Sequence, residues 1–464
     1  MPSFPGSGSD TTGRNLSDIR LINRAVIFRT IRDAGTISRA DLARSSGLNP
    51  ATVTHIVREL LHQELVEEAG YAKSSGGRRS ELLRIRPQQG YIIAISLGRR
   101  SIDGMLTDLE MREVTQRRIT SKSLANPADG STLPALLAMI QGLITDSGIE
   151  RQRLVGIGIC APGPLNARRG LILTPPNFPG WNLTPLKEIV EAETGLPTLV
   201  DNDANAAALA ERWFGGARNI DNFVYVLGES GVGCGIVING DIFRGAHDVA
   251  GEVGHTTIDL NGLPCDCGNT GCLELYASPA AAEQKVVRAI ASGTKTRVLD
   301  LANGNPDQVT YELIVQAAQE GDALACNTLR AVSAALGAGV VNLVNTFDPE
   351  AFVVGGRLAL AGDLLLDRLR EMVADCTMVS DLRQVRVLQS TLHTKAPVIG
   401  AFSLVLRELF QPERGGRLRS TGDAPVRSTG GVPVRSAGGV PVRSAGDVPV
   451  RSAGDVPELE LTAG

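Results

Sequence analysis

The chain has 464 residues, of which 43% are hydrophobic and 21% charged, so it holds apolar material for several cores and is not disordered throughout. No run of about 18 apolar residues suggests a membrane span, and aromatics, at 4%, are too scarce for a surface that stacks single-stranded nucleic acid. Net charge is −4 but unevenly spread: residues 1–88 carry 13 Lys+Arg against 9 Asp+Glu, the remainder 33 against 41, which puts a mildly basic head on an acidic body.

Residues 1–14 are rich in Ser, Gly and Pro and lack the basic-then-apolar pattern of a secretory signal; they read as a flexible leader. Residues 15–87 read as a winged helix-turn-helix. Leu21, Ala25 and Phe28 follow helical spacing within Ile19–Ala34, and Gly35 stands where a helix ends. Ser38 and Asp41 form a capping-box variant that opens a second helix, which ends at Gly47. Asn49-Pro50 then reads as an N-cap followed by proline at the first helical position. The third helix runs to about Gln63 and buries Val53, Ile56, Val57, Leu60 and Leu61. Thr52, Thr54, His55 and Arg58 stand off that stripe, and the first three lie near the end that reaches base edges in the major groove. Strand-like runs at 65–68 and 82–85 flank a Gly-Gly-Arg-Arg tip. There Arg78 and Arg79 are expected at phosphates or a narrow minor groove. The alternative is a three-helix protein-interaction module with solvated Thr and His.

Residues 88–411 alternate apolar strands with amphipathic helices and predict an α/β body of two lobes. Arg153–Gly163 is a buried strand with a Pro/Gly turn, and Leu199–Asn205 a strand running into a helix start. Segments 223–228 and 235–240 are expected to pair across the Gly231–Gly233 turn, and Ala351–Gly356 is a late strand. Of seven cysteines, three (Cys265, Cys267, Cys272) lie within eight residues, which points to metal. An odd count and no secretory signal make a disulfide framework improbable and a reducing cytoplasm the expected compartment. Residues 412–464 repeat every eight residues, with Pro425, Pro433, Pro441, Pro449 and Pro457 marking the period. Each unit has Pro, Gly and Arg and no large apolar side chain, so the tail is expected to be disordered.

Several motifs resemble one family. They are 158–164 (Gly-Ile-Cys-Ala-Pro-Gly-Pro), 176–181 (Pro-Asn-Phe-Pro-Gly-Trp), 201–207 (Asp-Asn-Asp-Ala-Asn-Ala-Ala), Arg244-Gly-Ala, 250–255 (Ala-Gly-Glu-Val-Gly-His) and 265–274 (Cys-Asp-Cys-Gly-Asn-Thr-Gly-Cys-Leu-Glu). Residues 15–411 resemble the ROK (repressor, open reading frame, kinase) family, in its transcriptional regulators of the xylose- and N-acetylglucosamine-repressor type. The resemblance implies an α+β multidomain chain, with a winged helix-turn-helix before an actin-like, hexokinase-like two-lobed body. It also implies a monosaccharide or sugar derivative in the cleft, repression of carbohydrate-use genes, double-stranded operator DNA as partner, and a homodimer or dimer of dimers. By the same resemblance Asn177, Asn202, Asp203, Glu252, His255 and Glu274 contact the sugar. Asp203 matches the general base of the family's kinases. His255, Cys265, Cys267 and Cys272 make an N/S3 set suited to a structural Zn²⁺.

The departure lies at the nucleotide. Kinases of the family begin the body with Asp-x-Gly-Gly-Thr, and here Ser96-Leu-Gly-Arg99-Arg100 stands in its place. Without the Mg²⁺-anchoring carboxylate, and with two bulky side chains in the cradle, efficient phosphoryl transfer is not expected. Glu229, in the second phosphate turn, adds a negative charge beside that place. The alternative is an active ATP-dependent sugar kinase that also binds DNA.

Overall fold

A computed structural model of the chain describes residues 16–72, 80–99, 101–120, 132–176, 178, 180–378 and 384–410. In the head, helix α1 (Leu16–Ala34) precedes the short strand β1 (Ile37–Ser38), α2 (Arg39–Ser46) and α3 (Pro50–His62), and the strands β2 (Val66–Tyr71) and β3 (Glu81–Ile85) form the wing. The expected caps are in place. The Ser38 side chain accepts from Asp41 N–H, Gly47 adopts φ 69° in the turn, and the Asn49 side chain accepts from Ala51 N–H. Val53, Ile56, Val57 and Leu60 are buried, whereas Leu61 is half-buried. Arg24, buried in α1, donates to Glu59 and Gln63 of α3, so an internal ion pair fixes the two helices.

The body holds two five-stranded sheets. The first has the order β10-β7-β4-β5-β6, from β4 (Tyr91–Leu97), β5 (Ser101–Asp108), β6 (Glu113–Thr120), β7 (Leu154–Ala161) and β10 (Thr198–Asn202). β4, β7 and β10 run parallel, while β5 and β6 return antiparallel. A small pair, β8 (Leu165–Asn166) and β9 (Leu171–Ile172), stands beside it. The second sheet has the order β13-β12-β11-β14-β15, from β11 (Phe223–Gly228), β12 (Val232–Ile238), β13 (Asp241–Ile242), β14 (Ala351–Gly356) and β15 (Arg386–Gln389). β11 and β12 pair antiparallel as expected, but β12 starts at Val232. The turn is therefore Glu229–Gly231, because Gly233 and Gly235 lie inside the strand against a helix.

Alternation along the strands explains the layers. Tyr91, Ile93 and Ile95 face helices α4 (Thr132–Ser147) and α5 (Leu186–Thr194), while Ile92 and Ala94 join a core on the other face. In the second sheet, Val224 and Val226 enter the core of α8 (Pro279–Ala291), α9 (Arg297–Leu301), α10 (Tyr311–Gln319), α11 (Ala323–Phe347) and α12 (Asp363–Cys376). Phe223, Tyr225 and Leu227 face α6 (Asp203–Phe214). The one-turn α7 (Glu274–Ala277) follows the cysteine-rich loop, and α13 (Ala396–Leu409) closes the described body. By length and composition α11 could cross a membrane, yet half of its most apolar window is buried in the lobe core.

Helix α6 lies between the two sheets, with α13 on one side and β11 and β12 on the other. The head is not held apart from this arrangement. Ile27, Phe28 and Ile31 of α1 share one apolar core with Phe214 of α6 and with Phe402, Leu406 and Phe410. The rings of Phe28 and Phe410 stand 5.1 Å apart, and those of Trp213 and Phe410 stack at 6.0 Å.

Candidate functional site

Between the sheets lies a cleft of about 960 Å³, bordered by Asn202, Asp203, Glu252, His255 and Glu274. Local structure explains each position. Asn202 ends β10 and caps α6, its side-chain oxygen accepting from Ala204 and Asn205 N–H. That leaves its amide hydrogens for other partners. Asp203 is the first residue of α6 and accepts from Ala204 N–H at 2.8 Å. Across the cleft, a Cβ on Gly163 would lie 2.8 Å from both the Asn202 amide and the Glu252 carboxylate, so only hydrogen fits between them.

Burial pushes the Asp203 carboxyl up to about 6, opposed by Ala204 N–H and the Arg99 guanidinium. Burial likewise lifts Glu252 to about 7, with Asp203 and Glu274 adding to it. A concave surface with carboxylates, an amide and an imidazole suits a ligand whose hydroxyls both donate and accept.

Arg99 is the residue that sequence reading valued only as bulk. It lines the same cleft, donates to the Pro176 carbonyl at 3.3 Å, and draws both Asp203 and Glu252 toward the ionised form. The turn between β11 and β12 carries Glu229, which burial holds near 7 despite the nearby Arg357. Arg357 itself is engaged by Glu283 and Glu312 at 2.7 Å. A second feature missed at the sequence level is the inter-sheet ion pair of Asp201 in β10 with Arg244, at 2.7 and 2.5 Å. Arg244 had been noted only as part of a motif, and pairing across 43 residues leaves no local signal.

Beside the cleft, His255, Cys265, Cys267 and Cys272 gather so that all their ligand atoms lie within 4.8 Å of one another. His255 Nδ1 stands 3.7 Å from Cys265 Sγ, and Cys267 and Cys272 Sγ are also 3.7 Å apart. One nitrogen and three sulfurs at such separations can hold a metal ion. Burial pushes the Cys265 and Cys272 thiols up, so a cation is what would keep them as thiolates. Glu274 joins the two places: its Oε1 is 3.6 Å from His255 Nδ1, and it also borders the cleft.

In the head, Thr54, His55 and Arg58 are exposed on α3 and Thr52 is half-buried. The Thr54 hydroxyl donates back to the Pro50 carbonyl at 2.8 Å, and His55 Nε2 lies 3.1 Å from both Arg20 and Glu59. Arg78, Arg79, Asn177 and Arg100 lie outside the described residues.

Comparison with known proteins agrees with this architecture. The sequence profile of the ROK family matches residues 92–408, and that of the MarR family matches residues 22–68 within the head. The chain is 36% identical over 391 residues to a putative xylose repressor of Caldicellulosiruptor sp. (strain Rt8B.4), covering 84% of this chain and 97% of that one. A crystal structure of a ROK family transcriptional regulator, a homologue of the E. coli MLC protein, superposes with a TM-score of 0.68 at 30% identity, covering 86% and 98%. A ROK family glucokinase from Streptomyces griseus, in complex with glucose and AMPPNP, gives 0.62 at 33%, covering 68% and 99%. With two thirds of its length matched by the family profile and a regulator matched from head to body, this chain belongs to the ROK family.

Proposed function

We propose that the protein is a sugar-responsive DNA-binding repressor of carbohydrate-use genes. The observation that carries this reading is one cleft in which Asn202, Asp203, Glu252, His255 and Glu274 meet while Arg99 stands beside them. The hydroxyl-matching groups support a sugar ligand, and Asn177 would join them. The Arg99 side chain supports binding without phosphoryl transfer, because a guanidinium stands where a phosphate turn needs bare backbone. Asp203 then serves as a hydrogen-bond acceptor.

The head would read operator DNA with Thr52, Thr54 and His55 at base edges, with Arg58 on the same helix, and with Arg78 and Arg79 at phosphates or the minor groove. Paired half-sites favour a homodimer. His255, Cys265, Cys267 and Cys272 would hold Zn²⁺, whose tetrahedral bonds of about 2.3 Å to sulfur set sulfur–sulfur edges of about 3.8 Å. All four ligand positions come from protein, so the ion would fix the loop that carries Glu252 and His255.

Helix α6 supplies the physical link between sugar and DNA. Its first turn carries Asp203 in the cleft, and its last carries Trp213 and Phe214 against the head. Twelve residues at 1.5 Å each span about 18 Å as one rigid element. A sugar changes operator affinity to the extent that it binds one arrangement of α6 and its lobes better than the other.

The test joins two assays. Thermal-shift screening against xylose, glucose, N-acetylglucosamine and their derivatives identifies the ligand. That sugar should then alter operator binding and leave ATP unconsumed. Steady turnover in the roughly 1–100 s⁻¹ range of kinases would overturn the reading in favour of an active enzyme.

A further inference from the structure

A second cavity, of about 60 Å³, lies where the head meets the body. Its walls come from α1, from the ends of α6 and α13, and from the β12–β13 hairpin, whose Asp241 carboxylate also borders it. Trp213, Phe28 and Phe410 make it apolar, and five arginines border it: Arg29, Arg32, Arg212, Arg218 and Arg407. Four of the five have acidic partners. Arg32 meets Asp33 at 2.7 Å and Arg218 meets Asp33 at 3.2 Å. Arg212 pairs with Asp221 at 2.9 Å, and Arg407 stands 3.7 Å from Asp241.

Arg29 is different. Among the described residues its side chain makes one hydrogen bond, to the Arg212 carbonyl at 3.5 Å, and no ion pair of its own. One carboxylate, Asp33, therefore serves the field of three guanidinia. Burial holds the Arg29 guanidinium below its ordinary range, and Arg218, Arg212 and Arg32 add to this while Asp33 opposes it. A half-buried guanidinium has five N–H donors, and one is spent. The surrounding aromatic rings lower the local dielectric, so an anion placed there would pair strongly.

We propose that this junction binds a tetrahedral oxyanion, either phosphate or the phosphomonoester end of a small metabolite, with Arg29 as its main ligand. The size agrees, since about 60 Å³ is room for a few waters and so for one such group. Because the walls belong to both head and body, the anion ties the two together. It acts at a place separate from the sugar cleft and does not depend on the sugar reading.

The chain contains two tryptophans, so Trp181→Phe leaves Trp213, in the cavity wall, as the sole reporter. The full-length variant is titrated with sodium phosphate, and separately with glycerol phosphate, at ionic strength held constant with sodium chloride. A saturable change in Trp213 emission is expected. Saturation by phosphate identifies a free anion as sufficient; saturation by glycerol phosphate alone identifies a phosphomonoester. Arg29→Gln should weaken the response by about tenfold or more, the loss of a charge-assisted hydrogen bond. Arg218→Gln, at a more exposed position, should weaken it by a smaller factor, and it carries the test if Arg29→Gln does not fold. Arg288→Gln, exposed on α8, should leave it unchanged. In chloride alone Arg29→Gln should melt no lower than the parent, because it removes one charge from a crowded cluster. A response no greater than that of chloride, or one that both junction variants retain in full, overturns the proposal.

Discussion

Asp203 and Glu229 face the same cleft with carboxyls raised to about 6 and about 7. A raised acid favours the protonated folded form, so its contribution to stability is full below the ordinary carboxylate range and is lost as pH rises through 6–7. Unfolding free energy should therefore rise by about 1–3 kcal/mol between pH 8 and pH 5.5. Glu312, held near 2 by Arg357, titrates below this window and does not blur it. Urea unfolding at the two pH values checks the direction, and Asp203→Asn should flatten the dependence and raise stability at pH 8. The metal site allows an independent check. Purified protein should carry one zinc per chain by elemental analysis, and Cys267→Ser, which removes one of the four ligands, should leave the purified protein with well under one zinc while also weakening the sugar response. A chain that lacks zinc and still binds sugar fully would remove the ion from the account.

At the level of elements, the proposed repressor would divide the labour of binding DNA between the wing and α3. Arg79→Ala should weaken binding to every duplex and lower the salt slope by about one unit, whereas Thr54→Ala should lose discrimination at one base pair, by about 1 kcal/mol. Gel-shift titrations at two salt concentrations, against operator and scrambled DNA, separate the two. Helix α6 predicts a third phenotype. Trp213→Ala should leave sugar affinity near that of the parent and DNA binding measurable, but reduce the effect of sugar on operator affinity several-fold; unchanged coupling would take α6 out of the path. The elements themselves were well marked in sequence, because Ser38, Asn49-Pro50 and Gly47 are local signals and alternation along the strands is a local pattern. The expected start of β12 falls too late because Gly231 to Gly233 read as a turn, whereas in the fold Gly233 lies inside the strand and admits a helix. Long-range partners had no such signal. Arg24 with Glu59 and Asp201 with Arg244 are brought together only by the fold.

Across the whole molecule, motifs carried the candidate cleft further than patterns did. Asn202, Asp203, Glu252, His255 and Glu274 come from three separate stretches of sequence, and only resemblance joined them before the fold did. Arg99 was legible as a missing glycine, but not as the cation that sets the balance of two carboxyls. The continuity of head and body was not legible at all, since Phe28 reads as an ordinary core residue of its own helix. That continuity gives α6 neighbours on every side, and some of them touch its backbone. A Cβ added to Gly400 of α13 would fall 2.2 Å from the Ala206 carbonyl oxygen, and one added to Gly235 of β12 would fall 2.5 Å from that of Ala204. Close packing of this kind resists lateral displacement, because any sideways step drives backbone into backbone. The helix is thus a strut clamped on its flanks, and a single methyl group on either glycine would prise it from its neighbours.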